Sequence, residues 1–373
     1  MKQRICTYED RPGNFVGIQL LALSLAQHCP DCVLEVTSPV LTEDFRAWAG
    51  YQSNVVIGAD IDPAVRGYDI KPTLLLRALD RGETQVLWID ADVLVTADFR
   101  ELYDEVDQTT LVVSQEFSGV PRLGCISLPS LEAAGGKDAA LCGEQRVHPR
   151  HTASSRLTGG LVGTHEKRGI PPGSEHTLAQ APGAFLSDQE VLMALLESSP
   201  HTGIDVHYLL RGCDIIMTSG SAGYTPGERV RNSFIYGRKL PPLIHALGPK
   251  PWQQAHYVGG PFRNPIRYME QVHTQVSPYT HAAREYAREL DAMYRRNWLT
   301  KRSLPARLMY GIGCNNPHLA GLGLCLMDSV GRTIKHCLRR YPWQKTGHPA
   351  SQLEVEIPMN TRSAESLTQA PLC

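Results

Sequence analysis

The run Val86-Leu87-Trp88-Ile89-Asp90-Ala91-Asp92-Val93-Leu94-Val95 constrains this chain more than any other segment. So continuous an apolar stretch suits a strand buried on both faces, the situation of a parallel sheet covered by helices. Its interruption is equally informative. In an extended backbone alternate side chains point the same way, so the spacing places Asp90 and Asp92 on one face, with Ala91 leaving the backbone approachable. Two buried like charges resist ionising together unless a cation lies between them. Mg²⁺ or Mn²⁺, which prefer oxygen ligands and keep positions open for phosphate, would meet that demand.

The preceding residues alternate strand and helix signals: strand at Arg4 to Tyr8, helix at Phe15 to His28 with Ile18, Leu21 and Leu25 on one face, strands at Val33 to Thr37 and Val55 to Ile57. A helix over Lys71 to Leu79, with Pro72 in its first turn, leads to the strand at Val86 to Ile89. This order predicts an α/β domain with a largely parallel sheet, whose ligands sit beyond the carboxyl ends of the strands, where Asp90 and Asp92 lie. Cys29-Pro30-Asp31-Cys32 reads as an ordinary loop between the first helix and the second strand, since no second cysteine pair accompanies it.

Ser114 to Ser155 is rich in Gly, Pro, Ser and Arg, with little periodicity, and reads as a long loop: a lid, an acceptor-binding segment or disorder. His148, His151, His165 and His176 fall in or after it without ligand spacing. Strand character returns at Leu157-Thr158-Gly159-Gly160-Leu161, where glycines permit close approach of a ligand. Ser187-Asp188-Gln189-Glu190 is a capping box that sets Asp188 and Gln189 in the first turn of a helix. Ile244-His245-Ala246-Leu247-Gly248-Pro249-Lys250 joins a metal-ligand histidine, a turn glycine suited to phosphate and a cation to pair with it.

The 373 residues, 42% hydrophobic and 20% charged, describe a globular chain. No apolar stretch approaches the roughly 18 residues of a membrane span, and no signal-peptide core precedes the first strand, so a cytoplasmic protein with reduced thiols is expected. The net charge of −1 conceals an asymmetry: Tyr294 to Thr346 holds ten Lys/Arg and one acid, Asp328, a net +9 that leaves −10 for the rest. Helices are expected at Ala282 to Trp298 and Leu319 to Leu338. Trp298, Tyr310, Tyr341 and Trp343 are interleaved with the basic residues, as suits an anionic membrane surface, and no nucleic acid is expected. The expected organisation is a catalytic domain over 1–265, a basic helical region over 266–346 and a polar, disordered tail over 347–373.

Over roughly residues 4–255 these motifs resemble the retaining glycosyltransferases of family 8, which include glycogenin and the bacterial lipopolysaccharide glucosyl- and galactosyltransferases. Lys71 in Ile70-Lys71-Pro72, Asp90-Ala91-Asp92 and Asp188-Gln189 match family motifs in order. Thr158-Gly159-Gly160 stands where the family usually has Asn-Ser/Ala-Gly, and His245 with Gly248-Pro249-Lys250-Pro251-Trp252 resembles His-x-x-Gly-x-x-Lys-Pro-Trp, one residue shorter. The resemblance implies a GT-A, Rossmann-like fold with a C-terminal helical appendage. It implies Mn²⁺ or Mg²⁺ on Asp90, Asp92 and His245, and a nucleotide sugar, a UDP-sugar, held by Thr7, Tyr8, Lys71, Asp90, Gly159, Gly160, Gly248 and Lys250. Gln189 or Asp188 would stabilise the oxocarbenium-like centre during hexose transfer with retention. The implied acceptor is a hydroxyl of an envelope glycan or lipid-linked saccharide. A sugar-phosphate nucleotidyltransferase and an inactive glycan-binding protein are the alternatives.

Overall fold

The computed structural model describes residues 3–62, 65, 70–83, 85–103, 110–114, 147–152, 205–209, 212–218, 223–235, 237, 239–246, 250–254, 262–290, 298–299 and 302–340. The architecture is α/β, with a mostly parallel central sheet flanked by helices. β1 (Gln3–Tyr8), β2 (Cys32–Thr37), β3 (Val55–Ile57) and β4 (Gln85–Ile89) form its parallel part. β6 (Thr110–Ser114), β7 (Val147–Thr152) and β8 (Asp205–Leu209) complete the order β3-β2-β1-β4-β7-β6-β8, in which β7 runs antiparallel to β4 and β6.

Side-chain alternation explains both layers of the core. Ile5, Leu34, Leu87 and Ile89 face α1 (Phe15–His28), where Ile18, Leu21 and Leu25 are wholly buried. Cys6, Val86 and Trp88 face the opposite way, onto Ile70, Leu74, Leu75 and Ala78 of α3 (Ile70–Asp80). Parallel strands need such crossovers, and α1 supplies the one between β1 and β2. α2 (Glu43–Gly50) is started by Thr42, whose hydroxyl accepts from the Phe45 N–H at 3.2 Å.

A second, three-stranded sheet was not expected. β5 (Val93–Val95) pairs antiparallel with β10 (Leu243–His245), which lies parallel to β9 (Ile215–Met217). The apolar run from Val86 is therefore two strands in two sheets. Asp90 to Asp92 form the turn between them, not an extended segment: the Val93 N–H closes on the Asp90 carbonyl at 3.1 Å. The region read as a loop from Ser114 to Ser155 also contains a strand, since Val147–Thr152, with His148 and His151, pairs between β4 and β6.

Helices follow the second sheet: α4 (Pro226–Phe234), α5 (Pro251–Gln254), α6 (Pro265–Gln275), α7 (Pro278–Ala283), α8 (Leu304–Ile312), α9 (Pro317–Ala320) and α10 (Leu322–Arg340). The continuous helix expected from Ala282 to Trp298 is not formed. α7 passes into a 3₁₀ turn at Arg284–Tyr286, whose i, i+3 alignment brings Ala283 and Tyr286 into one core with Leu290 and Trp298. The helix expected over Leu319 to Leu338 is divided at Gly321. Cys29 and Cys32, both buried and free, flank the turn between α1 and β2. Met1–Val330 form one compact unit; Gly331–Cys373, whose described part is the end of α10, form another. No helix among the described residues is long and apolar enough to cross a membrane.

Candidate metal centre

The turn after β4 places its carboxylates at the carboxyl end of the parallel strands. Asp90 is oriented by its own strand, because the Trp88 indole N–H donates to Asp90 Oδ1 at 2.9 Å. Asp92 is tied to the other sheet: the Ala246 N–H donates to its carbonyl at 3.0 Å and His245 is opposite Val93 in the ladder. This pairing, rather than proximity in sequence, brings His245 to the carboxylates.

Asp90, Asp92 and His245 each offer a ligand atom, and these atoms lie within 4.8 Å of one another. His245 is wholly buried and Asp92 is 7% exposed. Neither His245 ring nitrogen makes a hydrogen bond among the described residues, although Nε2 stands 3.3 Å from Asp92 Oδ1. A buried imidazole without a partner beside two carboxylates is a donor set that fits a divalent cation. In this structure the Lys250 ammonium takes the facing position: Nζ is paired with Asp92 Oδ2 and donates to the Ala246 carbonyl at 3.1 Å. Burial would raise the Asp92 carboxyl, but His245 and Lys250 outweigh it and hold the pKa at about 2, against the charge of Asp90.

A second network, missed in the sequence, braces this one. Glu9, at the exit of β1, accepts from Arg11 Nε at 2.7 Å and Asn14 Nδ2 at 3.0 Å. The other end of the Asn14 amide accepts from Trp252 Nε1 and Gln253 Nε2, each at 3.0 Å, so the β1–α1 loop grips the helix that follows Lys250. The one signal available beforehand was Trp252, whose buried indole N–H needs an acceptor. Gly17 completes the brace: a Cβ there would collide with the Ala91 carbonyl oxygen and the Trp252 ring.

Of the other residues singled out in the sequence, Thr7 and Tyr8 end β1. Thr7 is buried, and its hydroxyl has no hydrogen-bond partner among the described residues. Lys71 lies in the first turn of α3, with Nζ 5.7 Å from the Trp88 ring centroid. Gly159, Gly160, Asp188, Gln189 and Gly248 lie outside the described residues, as does the capping box at Ser187.

No protein-family model matches the chain, and no curated protein matches it in sequence. Solved structures of glycosyltransferases overlap with it. The galactosyltransferase LgtC, in complex with donor and acceptor sugar analogues, is 19% identical at a TM-score of 0.42, covering 72% of this chain and 95% of that one. Mouse xyloside xylosyltransferase 1 is 13% identical at a TM-score of 0.41, covering 66% and 98%. The glycosyltransferase GlyE of Streptococcus pneumoniae TIGR4 is 14% identical at 0.39, covering 78% and 64%. Likenesses this distant carry nothing about activity.

Proposed function

We propose that this protein is a metal-dependent glycosyltransferase that moves a hexose from a nucleotide sugar, a UDP-sugar, to a hydroxyl acceptor. The convergence of Asp90, Asp92 and His245 at the carboxyl end of a parallel sheet, with Lys250 beside them, supports this reading. A bound Mn²⁺ or Mg²⁺ would neutralise charge on the diphosphate of the donor. Lys250, released from Asp92, adds a second positive charge for the departing nucleoside diphosphate, the main electrostatic demand of glycosyl transfer. Trp88 keeps Asp90 oriented, and the grip of Asn14 on Trp252 and Gln253 fixes the segment from which Lys250 projects. Lys71 with Thr7 and Tyr8 would complete the donor site from the strand ends. Gly159, Gly160 and Gly248 would line it, and Asp188 and Gln189 would face the sugar ring, with retention of configuration. Residues 1–265 would be the catalytic region, and 266–346 a basic helical region that meets the acceptor.

The acceptor we propose is an envelope glycan or lipid-linked saccharide at the cytoplasmic face of a membrane. α10 supports peripheral contact: Leu326, Met327 and Val330 are 48%, 66% and 59% exposed, and the sequence that follows holds Arg332, Lys335, Arg339 and Arg340. Trp298 and Tyr310 take no part, because both are buried, Tyr310 under the guanidinium of Arg302 at 4.0 Å.

Incubation with a panel of nucleotide sugars and Mn²⁺ tests the proposal. Release of nucleoside diphosphate is the expected result; release of pyrophosphate from a sugar phosphate and a nucleoside triphosphate would assign a nucleotidyltransferase instead. Neither product under any donor would leave a binding protein.

A further inference from the structure

Lys250 rests where a charged lysine is seldom found. It is 8% exposed, and its ammonium has two acceptors among the described residues, Asp92 Oδ2 and the Ala246 carbonyl at 3.1 Å. Asp92 is divided between two neighbours: Oδ2 meets Lys250, while Oδ1 lies 3.3 Å from His245 Nε2. Asp90, Asp92 and His245 converge, so a cation held by all three lies across a single carboxylate from the ammonium.

Like charges so placed repel, and the protein interior screens them far less than water does. The cation also takes over the charge that balances Lys250, and a buried ammonium stripped of its counter-ion is costly. The backbone cannot carry that ammonium out to solvent. The Lys250 N–H reaches Gln253 Oε1 at 3.4 Å, and Asn14 Oδ1 holds both Gln253 Nε2 and Trp252 Nε1 at 3.0 Å. The side chain alone has to turn, and it gains by turning only toward a second anion. A diphosphate brought to the cation supplies one.

We propose that Lys250 is an internal counter-ion of Asp92, displaced jointly by a divalent cation and a diphosphate: it opposes a cation arriving alone and admits one that arrives with a diphosphate. The inference rests on reading Asp90, Asp92 and His245 as a metal site and adds how that site is regulated. Without a diphosphate the carboxylates stay masked from free Mn²⁺ or Mg²⁺, so metal loading is tied to the donor. Loss of a purely structural lysine weakens both ligands, whereas loss of a displaceable counter-ion moves them in opposite directions.

The test measures each ligand by itself on the full chain by calorimetry: Mn²⁺ without phosphate, and inorganic pyrophosphate with a chelator in place of metal. Lys250→Met is linear and uncharged; Lys250→Gln is uncharged but keeps a hydrogen-bond donor for Asp92, so a fold lost in one leaves the other to report. Both should bind Mn²⁺ about five- to a hundredfold more tightly than the wild type, the usual range of coupling between ligands, and pyrophosphate more weakly by a similar factor. Mn²⁺ should raise the thermal midpoint of Lys250→Gln further than that of the wild type. Lys250→Arg, which keeps the charge, should bind Mn²⁺ as weakly as the wild type. If Mn²⁺ binds and the neutral variants hold it no tighter, the counter-ion role is overturned while the metal site stands. If no form binds Mn²⁺, with or without pyrophosphate, the metal reading falls and this inference with it.

Discussion

Asp92 carries its charge in a place almost without water, and it does so because Lys250 and His245 lie against it. Removing one member of a buried pair leaves the other uncompensated, typically a larger loss than the pair itself contributes. Asp92→Asn should therefore destabilise the metal-free protein by about 3–5 kcal/mol, read by urea unfolding, and abolish Mn²⁺-dependent turnover. Repulsion between Asp90 and Asp92 alone would predict the opposite sign, a gain on neutralising one of them; the lysine reverses it. The pH dependence follows. The folded pKa of about 2 lies below the unfolded value of 3.8, so the Asp92 contribution is complete well above pH 4 and drains away as pH falls through 2.

Among the elements, the joint between α4 and α9 has its own titration. Asn232 Nδ2 donates to the Tyr224 hydroxyl at 2.7 Å, which donates to His318 Nδ1 at 2.5 Å; Nε2 of the same ring donates to the Lys239 carbonyl at 3.0 Å. The chain is satisfied only by a neutral imidazole, and burial, opposed by the Lys239 carbonyl but assisted by Arg229, lowers the His318 pKa to about 4. The unfolded chain binds a proton near pH 6.5 that the folded chain refuses until pH 4, so stability falls as pH drops through that window. The thermal midpoint should decline between pH 6.5 and 4, by an equivalent of about 1–3 kcal/mol, and His318→Gln should flatten the decline. α1 offers a second test. Gly17→Ala adds helix propensity worth up to about 1 kcal/mol but drives a methyl into the Ala91 carbonyl, so a net loss of about 1–3 kcal/mol and weaker Mn²⁺ binding are expected by denaturation and metal titration. The apolar runs of β1, β2 and β4 and the buried faces of α1 and α3 made those elements legible. β5, β9 and β10 are three-residue strands too short to show a period, and their pairing is decided by tertiary contact. Asp90, Asp92 and His245 were legible as chemistry; the meeting of Asp92 with His245 across a ladder, and the Glu9–Asn14 brace, depend on contacts that no local pattern records.

At the scale of the whole molecule, the basic C-terminal stretch divides. Trp298, Leu299 and Tyr286 share a core with Trp252, so a truncation at residue 294 would open the interior behind Lys250. A cut after Val330 follows the compact unit instead. Removal of 331–373 should leave Mn²⁺-dependent donor hydrolysis intact and lower co-sedimentation with anionic vesicles, and the full chain should bind such vesicles less at high salt. Equal binding of both forms, or none by either, would remove membrane contact from the function of this segment.

The meeting of Asp92, in the turn before β5, with His245 on the neighbouring strand β10 also has a consequence in time. Lys250 follows Asp92 by 158 residues. At a synthesis rate of about 5–20 residues per second, the carboxylates leave the ribosome roughly 8–30 seconds before their lysine, and His245 precedes it only slightly. During that interval β1 to β4 can pair and pack on α1, yet the turn at their edge has two acids and neither of the groups that balance them. The nascent chain therefore passes through a stage in which solvent, or any available cation, must stand in for residues not yet made.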